Sequence, residues 1–199
     1  AAEFDRGLGI GQAEAALTDL LHATLPVDKP STLLAPTLNA IPSDSLFGSQ
    51  WHLLNTGQSG GLPGIDINVA TVWDDYTGEG VLVGVVDDGV EYSHSEFLGA
   101  YRGDVDYDYG GNDADAAPGS GDSHGTAVAG LIGARADGQG TIGVAFESDL
   151  TSYRIFGGTV TTGEYAAVYR HYSDGVDIFS NSWGYNGFFY DDFDGGFSA

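Results

Sequence analysis

The stretch Val81 to Gly89, VLVGVVDDG, constrains this chain most. Its apolar and small residues run without polar alternation, the pattern of a strand covered on both faces and therefore of a parallel sheet. The strand ends on Asp87-Asp88-Gly89, which delivers carboxylates to the C-terminal edge of the sheet. That edge is where open α/β sheets hold ligands and chemistry. Taken alone, Asp88-Gly89 reads equally well as a turn closing a strand. The wider pattern predicts a short helix over Val69–Tyr76, a strand over Val81–Val86 and a Gly- and Asp-rich loop over Tyr101–Gly121. A helix over His124–Arg135, a strand over Leu150–Phe156, a helix over Gly163–Tyr172 and a strand over Val176–Ser182 follow. Strands alternating with helices define an α/β fold.

A second landmark lies 37 residues beyond Asp87, in DSHGTAVAGLIGA from Asp122 to Ala134. Asp122 or Ser123 is placed to cap a helix, with His124 in or beside its first turn. The partial positive charge of a helix N-terminus disfavours a protonated imidazole, so His124 is expected to be neutral and able to accept a proton. An aspartate on its other ring nitrogen would fix the tautomer and stabilise the imidazolium once formed. Gly125, Ala129, Gly130 and Gly133 leave a helix face that can pack tightly on a neighbour.

Charge limits the partners. There are 29 Asp and Glu against 6 Lys and Arg, a net charge of −23, which argues against nucleic acid or anionic lipid. The same balance suits a secreted protein that binds divalent cations, or one living in high salt. Hydrophobic residues make up 42% of the 199, enough for a core. No apolar run approaches the roughly 18 residues that a membrane span needs. The absence of methionine predicts a processed product or an internal piece of a longer chain.

Residues 1–45 read as an amphipathic helix over Ala13–Leu25 followed by a connector broken by Pro26, Pro30, Pro36 and Pro42. A compact domain is expected over 46–199. Asp108, Asp113 and Asp115 crowd carboxylates onto a Gly-rich loop, which suits either calcium or plain solvation. His22, His52, His94 and His171 lack partners at zinc spacing and receive no role. Trp51 and Trp73 are expected to serve as core or anchoring aromatics.

The motifs around Asp87 (VVDDGVEYSHSEF) and His124 (HGTAVAG), with SNSWG at Ser180–Gly184, resemble those of the subtilisin-like serine proteases. QWHLLNTG at Gln50–Gly57, DINV at Asp66–Val69 and the Asp-Asp-Gly at Asp87 narrow this to the kexin- and furin-like branch or its bacterial relatives. The resemblance implies a three-layer fold, a parallel sheet with helices on both faces, here truncated before its C-terminal half. It implies Asp87 as the triad aspartate and His124 as the general base. Asp88 would face a basic substrate side chain, and Ser182, Trp183 and Gly184 would pair with an extended substrate. Calcium would be held by Asp108, Asp113 and Asp115, and at a second site by Glu96 and Asp137. The function so implied is a secreted, calcium-dependent, monomeric serine endopeptidase acting on polypeptides. The family's Gly-Thr-Ser motif does not occur in the 199 residues, so the chain alone is expected to be inactive. The alternative is a non-catalytic, protease-derived module that binds calcium or peptide. No acidic residues directly follow Gly184, and none stands near Thr159, so a preference for basic residues rests on Asp88 alone.

Overall fold

A computed structural model describes residues 41–184. The predicted helix over Ala13–Leu25, most of the connector, His22 and the segment after Gly184 lie outside the described residues. Strands β1 (Leu82–Asp87), β2 (Tyr107–Asp108), β3 (Asp149–Arg154) and β4 (Ile178–Asn181) form one sheet in the order β2-β3-β1-β4. All three pairings are parallel, with Asp87 beside Arg154 on β3 and Val86 beside Asn181 on β4. All six residues of β1 are buried, the environment its unbroken apolar run demands.

Opposite faces of β1 feed two cores. Leu82 and Val86 pack with Tyr153, Ile155, Val168 and Val176. Val83 and Val85 pack with Val90, Phe97, Ala129 and Leu150. Helix α1 (His124–Gly133) brings Ala129 to the second face, and helix α2 (Thr162–Val168) brings Val168 to the first. The result is three layers with helices on both sides of a parallel sheet. Gly84 interrupts the valines because a Cβ there would stand 2.8 Å from the Tyr153 ring.

A third cluster of Phe47, Leu53 and Ile142 attaches the N-terminal part of the domain. Buried Gln50 ties it in place, donating to the Ile142 carbonyl and accepting from the Ile142 N–H, both at 2.9 Å. Trp73 donates to the Val144 carbonyl at 2.8 Å and sits between Phe47 and Phe146, so it is a core aromatic. Trp51 is half exposed.

Three expectations change in detail. Val69–Tyr76 forms successive turns instead of a helix, with i→i+3 bonds from Val72 to Val69 and from Asp75 to Val72. A segment this short cannot offset the cost of helix nucleation unless packing supports it, and here packing fixes Trp73 directly. The helix expected over Gly163–Tyr172 ends at Val168 and tightens into a 3-10 turn over Tyr169–Asp174, closed by Gly175 at φ 94°. Strand β2 lies inside the Gly- and Asp-rich loop, where two residues are too few to leave a periodic signal.

Candidate active site

Strand β1 and helix α1 converge at one point. Asp87 ends the strand, almost fully buried at 1% exposure, and His124 begins the helix. The His124 Nδ1 atom lies 2.8 Å from Asp87 Oδ1 and 3.0 Å from Oδ2. The carboxylate also accepts the Asp88 N–H at 2.8 Å, which holds its plane. The imidazole itself is more than half exposed, so Nε2 is directed away from the carboxylate toward accessible space. A buried carboxylate on Nδ1 with an accessible Nε2 can take a proton from a substrate-side hydroxyl and return it.

Electrostatics here differ from the sequence expectation. The hydrogen bond that His124 donates to Asp87 is the largest influence on it and, with the charges of Asp87 and then Asp88, raises its pKa above the ordinary 6.5. Direct contact with a carboxylate outweighs the fractional charge of the helix end. That end is also already neutralised. Asp88 Oδ2 accepts the His124 N–H at 3.0 Å, and Oδ1 accepts the Gly125 N–H at 2.6 Å. The cap expected of Asp122 or Ser123 is therefore supplied by the residue that follows β1. Ser123 makes no side-chain cap bond, and Asp122 turns to the Gly119 N–H and to Arg154.

With both carboxylate oxygens bonded to helix backbone, Asp88 acts in this structure as the anchor of α1. Ser182, Trp183 and Gly184 follow directly on β4, whose last pair aligns Asn181 with Val86, so they continue along the edge that carries Asp87. Ser182 and Gly184 are exposed, and Trp183 is half-buried against Tyr165 and Phe156.

Among the described residues no three carboxylate or imidazole groups stand close enough to cage a metal. Asp108 is buried. Its Oδ1 accepts the Gly110 and Gly111 N–H groups, and its Oδ2 binds Arg154 at 2.8 Å. Asp113 pairs with Asp108 through the backbone, while Asp115 accepts the Tyr92 hydroxyl at 3.1 Å. Committed this way, Asp108, Asp113 and Asp115 do not fit a shared cation.

Glu96 and Asp137 differ. Glu96 Oε1 accepts the Thr141 N–H, and Oε2 is buried with no partner. Burial raises the Glu96 pKa most, and the charges of Asp137 and Asp44 push it the same way. Buried Asp44 accepts the N–H groups of Asp137 and Gly138 at 3.1 Å. Glu96 Oε2 is thus an orphaned hard donor near the charges of Asp137 and Asp44, although the three do not close into a cage among the described residues. Asp44 was invisible in sequence because it sits in the Pro-rich connector, 93 residues from its partner.

Two other histidines have structural contacts. His94 caps the turn Ser95–Phe97 by accepting the Glu96 N–H, and His171 bridges Asp174 and the Tyr109 hydroxyl.

Comparison with known proteins agrees with this architecture. The model of the subtilase family, peptidase S8, matches residues 78–196. Human neuroendocrine convertase 2 is 39% identical over 149 residues, covering 71% of this chain and 23% of that protein. The serine protease of Aeromonas sobria superposes with a TM-score of 0.66 at 27% identity, over 74% of this chain and 26% of that one. Fervidolysin from Fervidobacterium pennivorans, a keratinolytic enzyme related to subtilisin, gives a TM-score of 0.56 at 27% identity, over 76% of this chain and 23% of its own. Family model, relatives and fold together define the subtilisin-like class of serine protease. The chain belongs to the subtilase family. It spans about a quarter of the length of the curated relatives it matches.

Proposed function

We propose that the full-length protein carrying this chain is a secreted serine endopeptidase in which Asp87 and His124 are two members of the catalytic triad. The contact of His124 Nδ1 with Asp87 at 2.8 Å, at the C-terminal edge of a parallel sheet, carries this reading. Asp87 holds the proton on Nδ1 and leaves Nε2 as the base. Nε2 takes the proton of a serine hydroxyl as that oxygen attacks the peptide carbonyl. Asp87 stabilises the resulting imidazolium, which then protonates the leaving amine; water and the same imidazole release the acyl group. The serine is assigned to the part of the protein beyond these 199 residues.

Ser182, Trp183 and Gly184 extend a strand at the edge of this site, which suits an extended polypeptide added by β-augmentation. The acidic balance fits an extracellular setting, and no helix among the described residues is long and apolar enough to cross a membrane. Reaction of the full-length protein with a serine-directed fluorophosphonate, and loss of that reaction in His124→Ala, tests the peptidase reading. A full-length protein that neither reacts nor cleaves peptides would instead be a peptide- or calcium-binding module.

Calcium is the second part of the proposal. Glu96, whose Oε2 has no partner, would take the ion together with Asp137, and the ion would offset the charges of Asp137 and Asp44 that push the Glu96 pKa up. We expect chelation to lower the Tm of the full-length protein by several degrees and Glu96→Gln to abolish most of that response. An equal Tm with and without chelator would overturn the site.

A further inference from the structure

We infer that Arg154 is a positioning residue that sets the distance between Asp87 and His124, an inference that rests on the peptidase reading of the same site. Arg154 ends β3 in register with Asp87, and its side chain is only 13% exposed. The guanidinium points in three directions at once. Nε donates to the Asp88 carbonyl at 3.1 Å, Nη1 to Asp108 Oδ2 at 2.8 Å and Nη2 to Asp122 Oδ2 at 3.2 Å. Two glycines make the space, since a Cβ at Gly119 would stand 2.7 Å from Nη2 and one at Gly157 would overlap the guanidinium.

Each arm ends on something that holds the site. The Asp88 peptide is the one whose side chain accepts from the first two N–H groups of α1. Asp122 is two residues before His124 and closes the loop that enters the helix by accepting the Gly119 N–H. Asp108 anchors the loop on the far side of β3. One rigid fork therefore clamps the segment after Asp87 and the segment before His124 into a single frame. In a chain with only 6 Lys and Arg, this cation stands among carboxylates that would otherwise repel. Lysine, a point charge on a flexible stem, cannot reach all three acceptors together.

The experiment uses the full-length protein with Arg154→Lys, counting active sites by fluorophosphonate titration. Lysine keeps the charge, so the field at His124 from Asp87, Asp88, Asp122 and residue 154 is conserved and a change reports geometry. We expect kcat per active site to fall about tenfold or more with KM within about twofold, because small misplacements of a catalytic group cost rate more than binding. The acid limb of kcat/KM should also move down toward the ordinary histidine value. Asp122→Asn, which weakens one arm by removing its charge at a less buried position, should change both in the same direction by less. Wild-type kcat and acid limb in both variants, or activity losses accounted for by fewer active sites alone, would overturn the inference. A wild-type protein without peptidase activity would sink the peptidase reading instead. NMR titration of the His124 imidazole then decides the role of Arg154: a lower midpoint in Arg154→Lys supports it and an unchanged one overturns it.

Discussion

Asp87→Asn in the full-length protein is expected to lower kcat about 10⁴-fold, the scale of the same change in an Asp-His-Ser triad. The folded state should persist, because the amide has the shape of the carboxylate and removes a buried charge. The Asp88 N–H donates to Oδ1 and favours an acceptor at that position, which leaves the amide NH₂ at the Oδ2 position, 3.0 Å from Nδ1. The amide oxygen left 2.8 Å from Nδ1 is a weaker acceptor than a carboxylate and cannot stabilise an imidazolium by charge. The NH₂ at 3.0 Å favours a bare Nδ1 with the imidazole proton on Nε2. The base is then blocked at the atom that must accept. Steady-state rates per active site check this, and a kcat within tenfold of wild type would remove Asp87 from the triad.

The same contact fixes the sign of the pH dependence. With its pKa raised above 6.5 by Asp87, His124 is neutral only at higher pH than an ordinary histidine, so activity should rise through that raised value. Stability runs the opposite way. A raised folded-state pKa contributes stability that is fully present below the unfolded value and fades as pH rises through the folded one. The Asp87–imidazolium pair is therefore strongest where the enzyme is inactive. Asp87→Asn should shift the acid limb of its residual activity downward.

How far the sequence could be read depended on the range of each contact. Strand β1 was legible because burial on both faces leaves an unbroken apolar run, and helix α1 because its small residues follow a histidine at a cap. Parallel topology brings the end of one to the start of the other, while the pairing of Asp87 with His124 came from the family resemblance. Asp44, Arg154 and the capping role of Asp88 left no local trace. Their partners are 93, 32 to 66 and 36 to 37 residues away, and a carboxylate that caps another element's helix looks, in sequence, like any Asp in a turn. The expectation for Asp108, Asp113 and Asp115 came from spacing and family resemblance, and neither reveals that an arginine from β3 occupies Asp108.

Gly125→Ala is expected to cost at least about 100-fold in kcat/KM and about 1–3 kcal/mol in stability, against the helix propensity of alanine. A Cβ at this position would overlap the Gly89 carbonyl oxygen and stand 2.9 Å from Asp87 Cβ and 3.0 Å from Asp88 Oδ1. The nearest of the three is a backbone oxygen and the next a Cβ, so no side-chain rotation relieves the overlap. Relief comes only by moving the start of α1 away from the strand, which lengthens the two backbone bonds to Asp88 and the His124–Asp87 contact together. Gly130→Ala on the same helix is the control. A Cβ at Gly130 would meet nothing within 4 Å, so alanine there should stabilise by about 0.5–1 kcal/mol and leave kcat/KM unchanged. Thermal melts and kcat/KM of the two variants side by side separate backbone propensity from close approach. Equal effects at both positions would mean that Gly125 is not what lets His124 reach Asp87.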